Sequence, residues 1–324
     1  MKHIAILTSG GDAPGMNACL RAAVRTALFH KIKISGVSYG YDGLIHNEIR
    51  ELDASSVGNI IHRGGTILGT ARSQEFFEQE GRAKAAANLQ SKGIDGLIVI
   101  GGDGSFKGLN KLVSEFPAIK AIGIPGTIDN DLFGTDFTIG FDTALNTVVE
   151  AVDKIRDTAN SHNRLFFVEV MGRDGGQIAL YSGIASGAEA ILIPETPTYI
   201  DNLVAILQRG WSHQKTGYII IVAEGDEAGG AFKISEEVKS RFNQYETKVS
   251  VLGHIQRGGS PSCMDRVLAT RMGHEAVLAL MQGDNRVMVG QINGEMNRTP
   301  IENAIKHVSE MNRQLIKMAE IVSI

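Results

Sequence analysis

An α/β fold of about two domains is what this sequence predicts, and three observations predict it. One grammar recurs along the chain: an apolar run of strand length, a glycine-rich turn, then a stretch of helical composition, as at residues 3–7 (HIAIL), 94–100 (IDGLIVI), 121–124 (AIGI) and 165–171 (LFFVEVM). The composition can bury a large core, with 324 residues, 43% apolar, 21% charged, 38 Gly and only 7 Pro. Several apolar runs also end in loops carrying Arg, Asp, Glu or His, and in an open α/β sheet such carboxyl ends face a ligand crevice.

The same composition excludes other classes. No apolar run approaches the roughly 20 residues of a membrane span, and Met1-Lys2-His3 leads straight into a strand without a signal-peptide pattern, so a cytoplasmic protein is expected. Cys19 and Cys263 are far apart and lack metal-ligand spacing, which reads as reduced and structural. A net charge of -4 argues against a nucleic-acid or membrane surface. An anionic ligand must then be drawn by locally clustered Arg and Lys.

Taken in order, residues 3–7 form a strand, Thr8 to Gly15 turn, and residues 16–28 form a helix. Gly10 and Gly11 let a phosphate reach backbone N–H groups near that helix N-terminus. Arg21 and Arg25, four apart, share one helical face, as either a solvated pair or a ligand site. A second strand is expected at 32–39, a short helix capped by residues 53–56 (DASS), and Arg72 among small residues at 69–73. Residues 75–91 read as an exposed helix ended by Gly93. The strand at 94–100 runs into GGDGS (101–105), and a helix begins at Phe106; the turn is either an Asp-capped tight turn or a cradle for phosphate and Mg²⁺.

After 121–124, Pro125-Gly126 break the strand, and Thr127, Asp129 and Asp131 follow at alternate positions. Carboxylates at such a tip take a proton, bind a hard cation or cap the next helix. Residues 141–159 form a one-faced helix, and the strand at 165–171 ends in GRDGG (172–176). Further strands at 190–193, 218–223 and 249–252 precede Pro194-Glu195, Glu224-Gly225 and GHIQRGG (253–259). His254 alone reads as structural; beside Arg257 and a double glycine it reads as a ligand. Residues 228–233 are expected as loop and 234–244 as a polar helix. Thr299-Pro300-Ile301-Glu302 reads as a capping box that opens one helix through Ile301, Ala304, Ile305, Val308, Met311, Leu315, Met318 and Val322.

In combination these motifs resemble the ATP-dependent 6-phosphofructokinases of the short bacterial type. The resemblance runs from TSGGDAPGMNA (8–18) through GGDGS, PGTIDND (125–131), IGFDTA (139–144), RDTANSH (156–162) and VMGRDGG (170–176) to LGHIQRGGSP (252–261). It implies two three-layer α/β domains with largely parallel sheets and an active site in the cleft between them. Residues 1–138 plus 251–301 would bind ATP, and residues 139–250 plus 302–324 fructose 6-phosphate. The implied enzyme moves the γ-phosphoryl of ATP to the sugar's 1-hydroxyl, with Mg²⁺, as a glycolytic homotetramer.

Roles follow by the same resemblance. Gly11, Arg72, Ser73, Gly102, Asp103, Gly104 and Ser105 would line the nucleotide site, with Asp103 on Mg²⁺. Asp129 would be the base, and Thr127 and Arg173 would stabilise the transferring phosphoryl. Ile128, Met171, Gly172, Glu224, His254, Ile255, Gln256 and Arg257 would complete the sugar-phosphate site, and Arg164 and Lys248 would reach the 6-phosphate of a neighbouring subunit. Pyrophosphate-dependent relatives carry Asp at the Gly104 position and Lys at Gly126; both positions are read as open here, which favours ATP. A lipid or NAD kinase would leave PGTIDND and HIQRGG unexplained, and a non-catalytic sugar-binding protein would not need Asp129. An ADP or phosphoenolpyruvate effector site would use Arg21, Arg25, Arg156, Glu189 and Lys215. It departs from the family at Ala54, Asn59, His213 and Gly217, as the nucleotide site does at Ser73.

Overall fold

A computed structural model describes residues 1–307 and 311–322. The chain divides into two compact units: the first is Met1–Ile128, Leu132–Thr143 and, of the described residues, 257–307; the second is Asp129–Asp131, Ala144–Gln256 and 311–322.

The first unit begins with β1 (His3–Thr8), α1 (Met16–Phe29), β2 (Lys33–Val37), α2 (Gly40–Ile45), β3 (Ile49–Glu51), α3 (Gln79–Ser91), β4 (Gly96–Gly101), α4 (Asp103–Glu115) and β5 (Lys120–Pro125). Helix α5 (Phe141–His162) carries the chain onward to β6 (Arg164–Val170), α6 (Gln177–Ala185), β7 (Ala190–Leu192), α7 (Ile200–Ser212), β8 (Tyr218–Ala223), α8 (Gly230–Arg241) and β9 (Glu246–Val251) of the second unit. The chain then returns for α9 (Cys263–Gln282), β10 (Val287–Ile292), β11 (Glu295–Pro300) and α10 (Ile301–Lys306), and α11 (Arg313–Val322) ends in the second unit.

Seven strands in the order β11-β10-β5-β4-β1-β2-β3 form the first sheet, parallel except at its edges, where β3 and β11 run antiparallel. Ala5, Leu7, Leu97, Val99 and Ala121 pack into a core with α2, α3, α4 and α10, and the alternate residues Ile4, Ile6, Ile98, Ile100 and Ile122 are buried too. A sheet buried on both faces must read as continuous apolar runs, and these strands do. The second sheet is wholly parallel, in the order β7-β8-β6-β9.

Local readings fail where a distant partner decides. Helix α8 starts at Gly230, inside the expected 228–233 loop, because Gly229 and Gly230 take positive φ and Glu169 on β6 accepts from Ala231 N at 2.8 Å. Residues 54–59 form turns instead of a helix. Asp53 binds Ser55 and Ser56 within its own turn, which pushes its carboxyl down to about 2. No capping box opens α10: Thr299 lies in β11 with its hydroxyl bonded to Asn297, Glu302 pairs with Arg286, and Pro300 occupies the cap. The single C-terminal helix is two helices, because His307 has extended backbone; Val308 lies outside the described residues. Cys19 is a buried thiol, but Cys263 is exposed and therefore not a core residue. No described helix is long and apolar enough to cross a membrane.

Candidate active site

In the first unit three parallel strands bring their carboxyl ends level. Thr8 of β1 is in register with Ile100 of β4, and Gly101 of β4 with Pro125 of β5, so the loops that follow lie side by side. Ser9 N donates to Ile100 O at 2.9 Å, Gly126 N to Gly101 O at 3.0 Å, and Ser105 Oγ to Ser9 Oγ at 3.0 Å. Gly11 admits the Arg257 guanidinium, since a Cβ there would fall 2.4 Å from Arg257 Nη1. Arg257, grouped by sequence with the sugar residues, thus lies against the glycine loop.

Asp103 opens α4, partly exposed, with Lys107 Nζ 2.6 Å from its carboxylate. Around Gly104 a Cβ would meet nothing within 4 Å. Gly126 is not open, contrary to the sequence reading: a Cβ there would lie 2.8 Å from Ile100 Cγ2 and 3.1 Å from Met16 Cε. Thr127 faces Gly102, whose Cβ position is 3.6 Å from Thr127 Cβ, and Ile128 is buried. Arg72 is exposed in the coil after Gly69, and the neighbouring Ser73 hydroxyl is buried without a hydrogen-bond partner among the described residues.

The second unit supplies the other group. Asp129, 4% exposed at its side chain, has Oδ2 3.7 Å from Arg173 Nε, whose guanidinium is exposed. Arg173 holds a left-handed backbone, φ +53°, which a residue with a Cβ adopts only when its surroundings impose it. Glu224, just past β8, accepts from Arg173 N at 2.8 Å and so ties this turn to β8. Met171 N donates to Gln256 Oε1 at 3.2 Å, and the fully buried Gln256 amide also donates to Gly253 O at 3.0 Å, joining the loops after β6 and β9. Gly172 follows Met171 with φ +140°, and His254 and Ile255 project from the exposed side of the short helix Gly253–Arg257.

Arg164 and Lys248 are elsewhere. Both clasp Glu246, at 2.6 and 2.7 Å, and this pushes the Glu246 carboxyl down to about 2, Lys248 contributing first and Arg164 second. Arg164 begins β6 and Met171 follows its end, so roughly 20 Å of strand separates them. A ligand held at Gly172 and Arg173 is therefore out of reach of Arg164 and Lys248 in the same chain.

Among the expected effector residues, Glu189 binds Lys215 at 2.9 Å, Arg156 at 3.4 Å and Ile219 N at 2.7 Å, all in the second unit. Arg21 and Arg25 lie on α1 of the first unit. Ala54, Asn59 and His213 are exposed; Gly217 is buried, and a Cβ there would fall 2.4 Å from Asn160 Oδ1. Sequence reasoning passed over Glu246 and the buried Asp265. The Ser262-to-Asp265 spacing before an apolar stretch was the available signal for the latter.

Chemically, the first group offers backbone amides, small residues and one acid for a polyphosphate, and the second a buried carboxylate beside a cation. Among the described residues no three His, Cys, Asp or Glu converge as a metal cage. A single carboxylate beside open space fits Mg²⁺, which is commonly held by one or two carboxylates plus substrate phosphates and water.

Comparison with known proteins bears on this chemistry. The family model described as "Phosphofructokinase" matches residues 3–280. The chain is 51% identical over 324 residues to an ATP-dependent 6-phosphofructokinase 2 of Bacteroides thetaiotaomicron, covering 100% of this chain and 99% of the relative. It is also 51% identical over 324 residues to an ATP-dependent 6-phosphofructokinase 1 of Thermus thermophilus, covering 100% of both. Among solved structures, phosphofructokinase from Saccharomyces cerevisiae superposes with a TM-score of 0.88 at 40% identity, over 94% of this chain and 45% of the yeast chain.

Proposed function

This chain belongs to the phosphofructokinase family, and from that premise we propose that it is an ATP-dependent 6-phosphofructokinase. It moves the γ-phosphoryl of ATP to the 1-hydroxyl of fructose 6-phosphate, giving fructose 1,6-bisphosphate and ADP in glycolysis. One observation carries the chemistry: the buried Asp129 carboxylate lies 3.7 Å from the exposed Arg173 guanidinium. Asp129 accepts the hydroxyl proton, and Arg173 and Thr127 meet the charge that spreads over the phosphoryl oxygens. Glu224 keeps Arg173 in place through its backbone N–H.

Gly11, Arg72, Ser73 and residues 102–105 receive the nucleotide, and Asp103 holds Mg²⁺, which neutralises phosphate charge when bound. That role requires Lys107 to yield the Asp103 carboxylate it now pairs with. The empty space around Gly104 suits the bulk of ATP over pyrophosphate. Met171, Gly172, Glu224, His254 and Arg257 take the sugar phosphate, with Ile128, Ile255 and Gln256 shaping their loops. By the resemblance, Arg164 on β6 and Lys248 on β9 serve the 6-phosphate of a neighbouring subunit in a cytoplasmic homotetramer, a role that their distance from Gly172 and Arg173 in the same chain supports.

The test is a coupled assay of fructose 1,6-bisphosphate formation from fructose 6-phosphate, which reads turnover with either donor, run with ATP with and without Mg²⁺ and with pyrophosphate replacing ATP. Turnover that needs ATP and Mg²⁺ is expected. Turnover with pyrophosphate alone would assign the other donor.

A further inference from the structure

We propose, on the reaction just proposed, that Asp265 is a positioning residue: it fixes the returning end of the segment that carries Thr127 against the glycine loop of the first unit. Asp265 is 1% exposed and lies in the first turn of α9. An acid there ordinarily turns back to the amides of its own helix. This one faces the start of α5 instead. Its Oδ1 accepts from Gly140 N at 2.8 Å, and its Oδ2 from Thr143 N at 2.8 Å and Thr143 Oγ1 at 2.5 Å. Amides at a helix start have no intrahelical partner, so the carboxylate supplies what α5 lacks.

Helix α9 is capped separately. Ser262 Oγ accepts from Asp265 N at 3.2 Å and donates to Asp142 Oδ2 at 2.5 Å, while Ser262 N donates to Thr143 Oγ1 at 3.0 Å. The two helix starts therefore cap each other.

What this junction holds is the arm beside Thr127. Ile139 N donates to Pro125 O at 2.9 Å and Thr138 Oγ1 to Thr127 O at 2.6 Å, so residues 138–139 run alongside 125–127. Gly140, at φ +103°, leaves no room for a Cβ, which would lie 2.7 Å from Ala13 Cβ and 3.3 Å from Ile128 Cγ2. Gly15, the cap of α1, is packed by Ile139 Cγ2 on one side and by Asp265 on the other. Asp265 thus sits where the glycine loop, the Thr127 arm and the start of α5 meet. A shift of Gly140 passes through Thr138 to Thr127, and displacing a reacting group by about 1 Å costs on the order of 100-fold in rate.

The experiment compares Asp265→Asn with Ser262→Ala in the full-length enzyme, reading kcat, both KM values and the melting temperature. Asparagine turns an NH2 group toward an amide donor, whereas Ser262→Ala removes the Asp265 N bond that caps α9 and leaves the three bonds of the Asp265 carboxylate. Expected is a kcat lower by roughly 10–100-fold for Asp265→Asn with each KM within about threefold, and a kcat within about twofold for Ser262→Ala despite a lowered melting temperature. A near-normal kcat in Asp265→Asn, or an equal loss in Ser262→Ala, overturns the proposal. If Asp265→Asn does not fold, Thr143→Val decides: kcat should fall several-fold with Thr143→Ser restoring it, and an unchanged kcat overturns the proposal. A wild-type enzyme inactive with ATP and fructose 6-phosphate would refute the assigned reaction instead, so the two failures are distinct.

Discussion

On the proposed reaction Asp129 takes the proton of the sugar hydroxyl, and it is buried with its Oδ2 3.7 Å from Arg173 Nε. Asp129→Asn keeps the shape and removes the base, so kcat should fall by roughly 10²–10⁴ while KM changes far less. Near-normal turnover would make Asp129 a structural residue. Two glycines of the first unit make opposite predictions about the fold. Gly104 lies in α4 with open space around it, so Gly104→Ala should leave the melting temperature unchanged or raise it, alanine being favoured over glycine in a helix by about 1 kcal/mol. Gly126→Ala must displace Ile100 Cγ2, on a branched side chain that cannot swing away, and should cost about 1–3 kcal/mol. Equal melting temperatures for the two variants would show that Ile100 and Met16 yield freely.

At the level of elements, β9 shows how charge on one strand responds to pH. The Glu246 carboxyl is held at about 2, below its ordinary 4.5, by Lys248 and then Arg164. A group depressed on folding contributes stability above its unfolded value and loses that contribution as pH falls toward the folded value. The wild type should therefore lose more stability than Glu246→Gln between pH 4.5 and about 2, by a small amount because the pair is exposed. Urea midpoints at the two ends of that interval check this; equal losses would mean that the clasp does not persist in solution. The strands themselves were largely legible: β1, β4, β5, β6 and β8 are buried apolar runs whose pattern needs no distant information. The loops that follow them were legible as loops because glycine stands at or near each carboxyl end. The start of α8 was not, since its cap is Glu169 on β6, 62 residues away in sequence. Nor was the packing of Gly126, which depends on Ile100 and Met16.

On the scale of the whole molecule, regulation depends on what remains of the proposed effector site. Lys215 and Arg156 are both engaged by Glu189, and a Cβ at Gly217 would make the Asn160 side chain shift. A hydrogen bond to a charged group contributes about 1.5–3 kcal/mol, so losing the arginine that the resemblance expects where Ala54 stands weakens an anionic effector by roughly 10–100-fold. Millimolar phosphoenolpyruvate should then shift the fructose 6-phosphate saturation curve only slightly, with ADP hardly reversing it. A sigmoidal curve moved tenfold and restored by ADP would show that the remaining cations suffice. The sheets also have margins. Strands β3 and β7 are each three residues long, and β11 ends at Pro300, but β9 is a six-residue edge without proline. Such an edge is a template for another chain unless charges interrupt it, and here Glu246 and Lys248 do so. Lys248, proposed to grip a phosphate, is then expected to guard this edge together with Glu246. A doubly neutral Glu246→Gln, Lys248→Gln chain should fold yet scatter light on heating sooner than the wild type, and an unchanged onset would free those charges from that second duty.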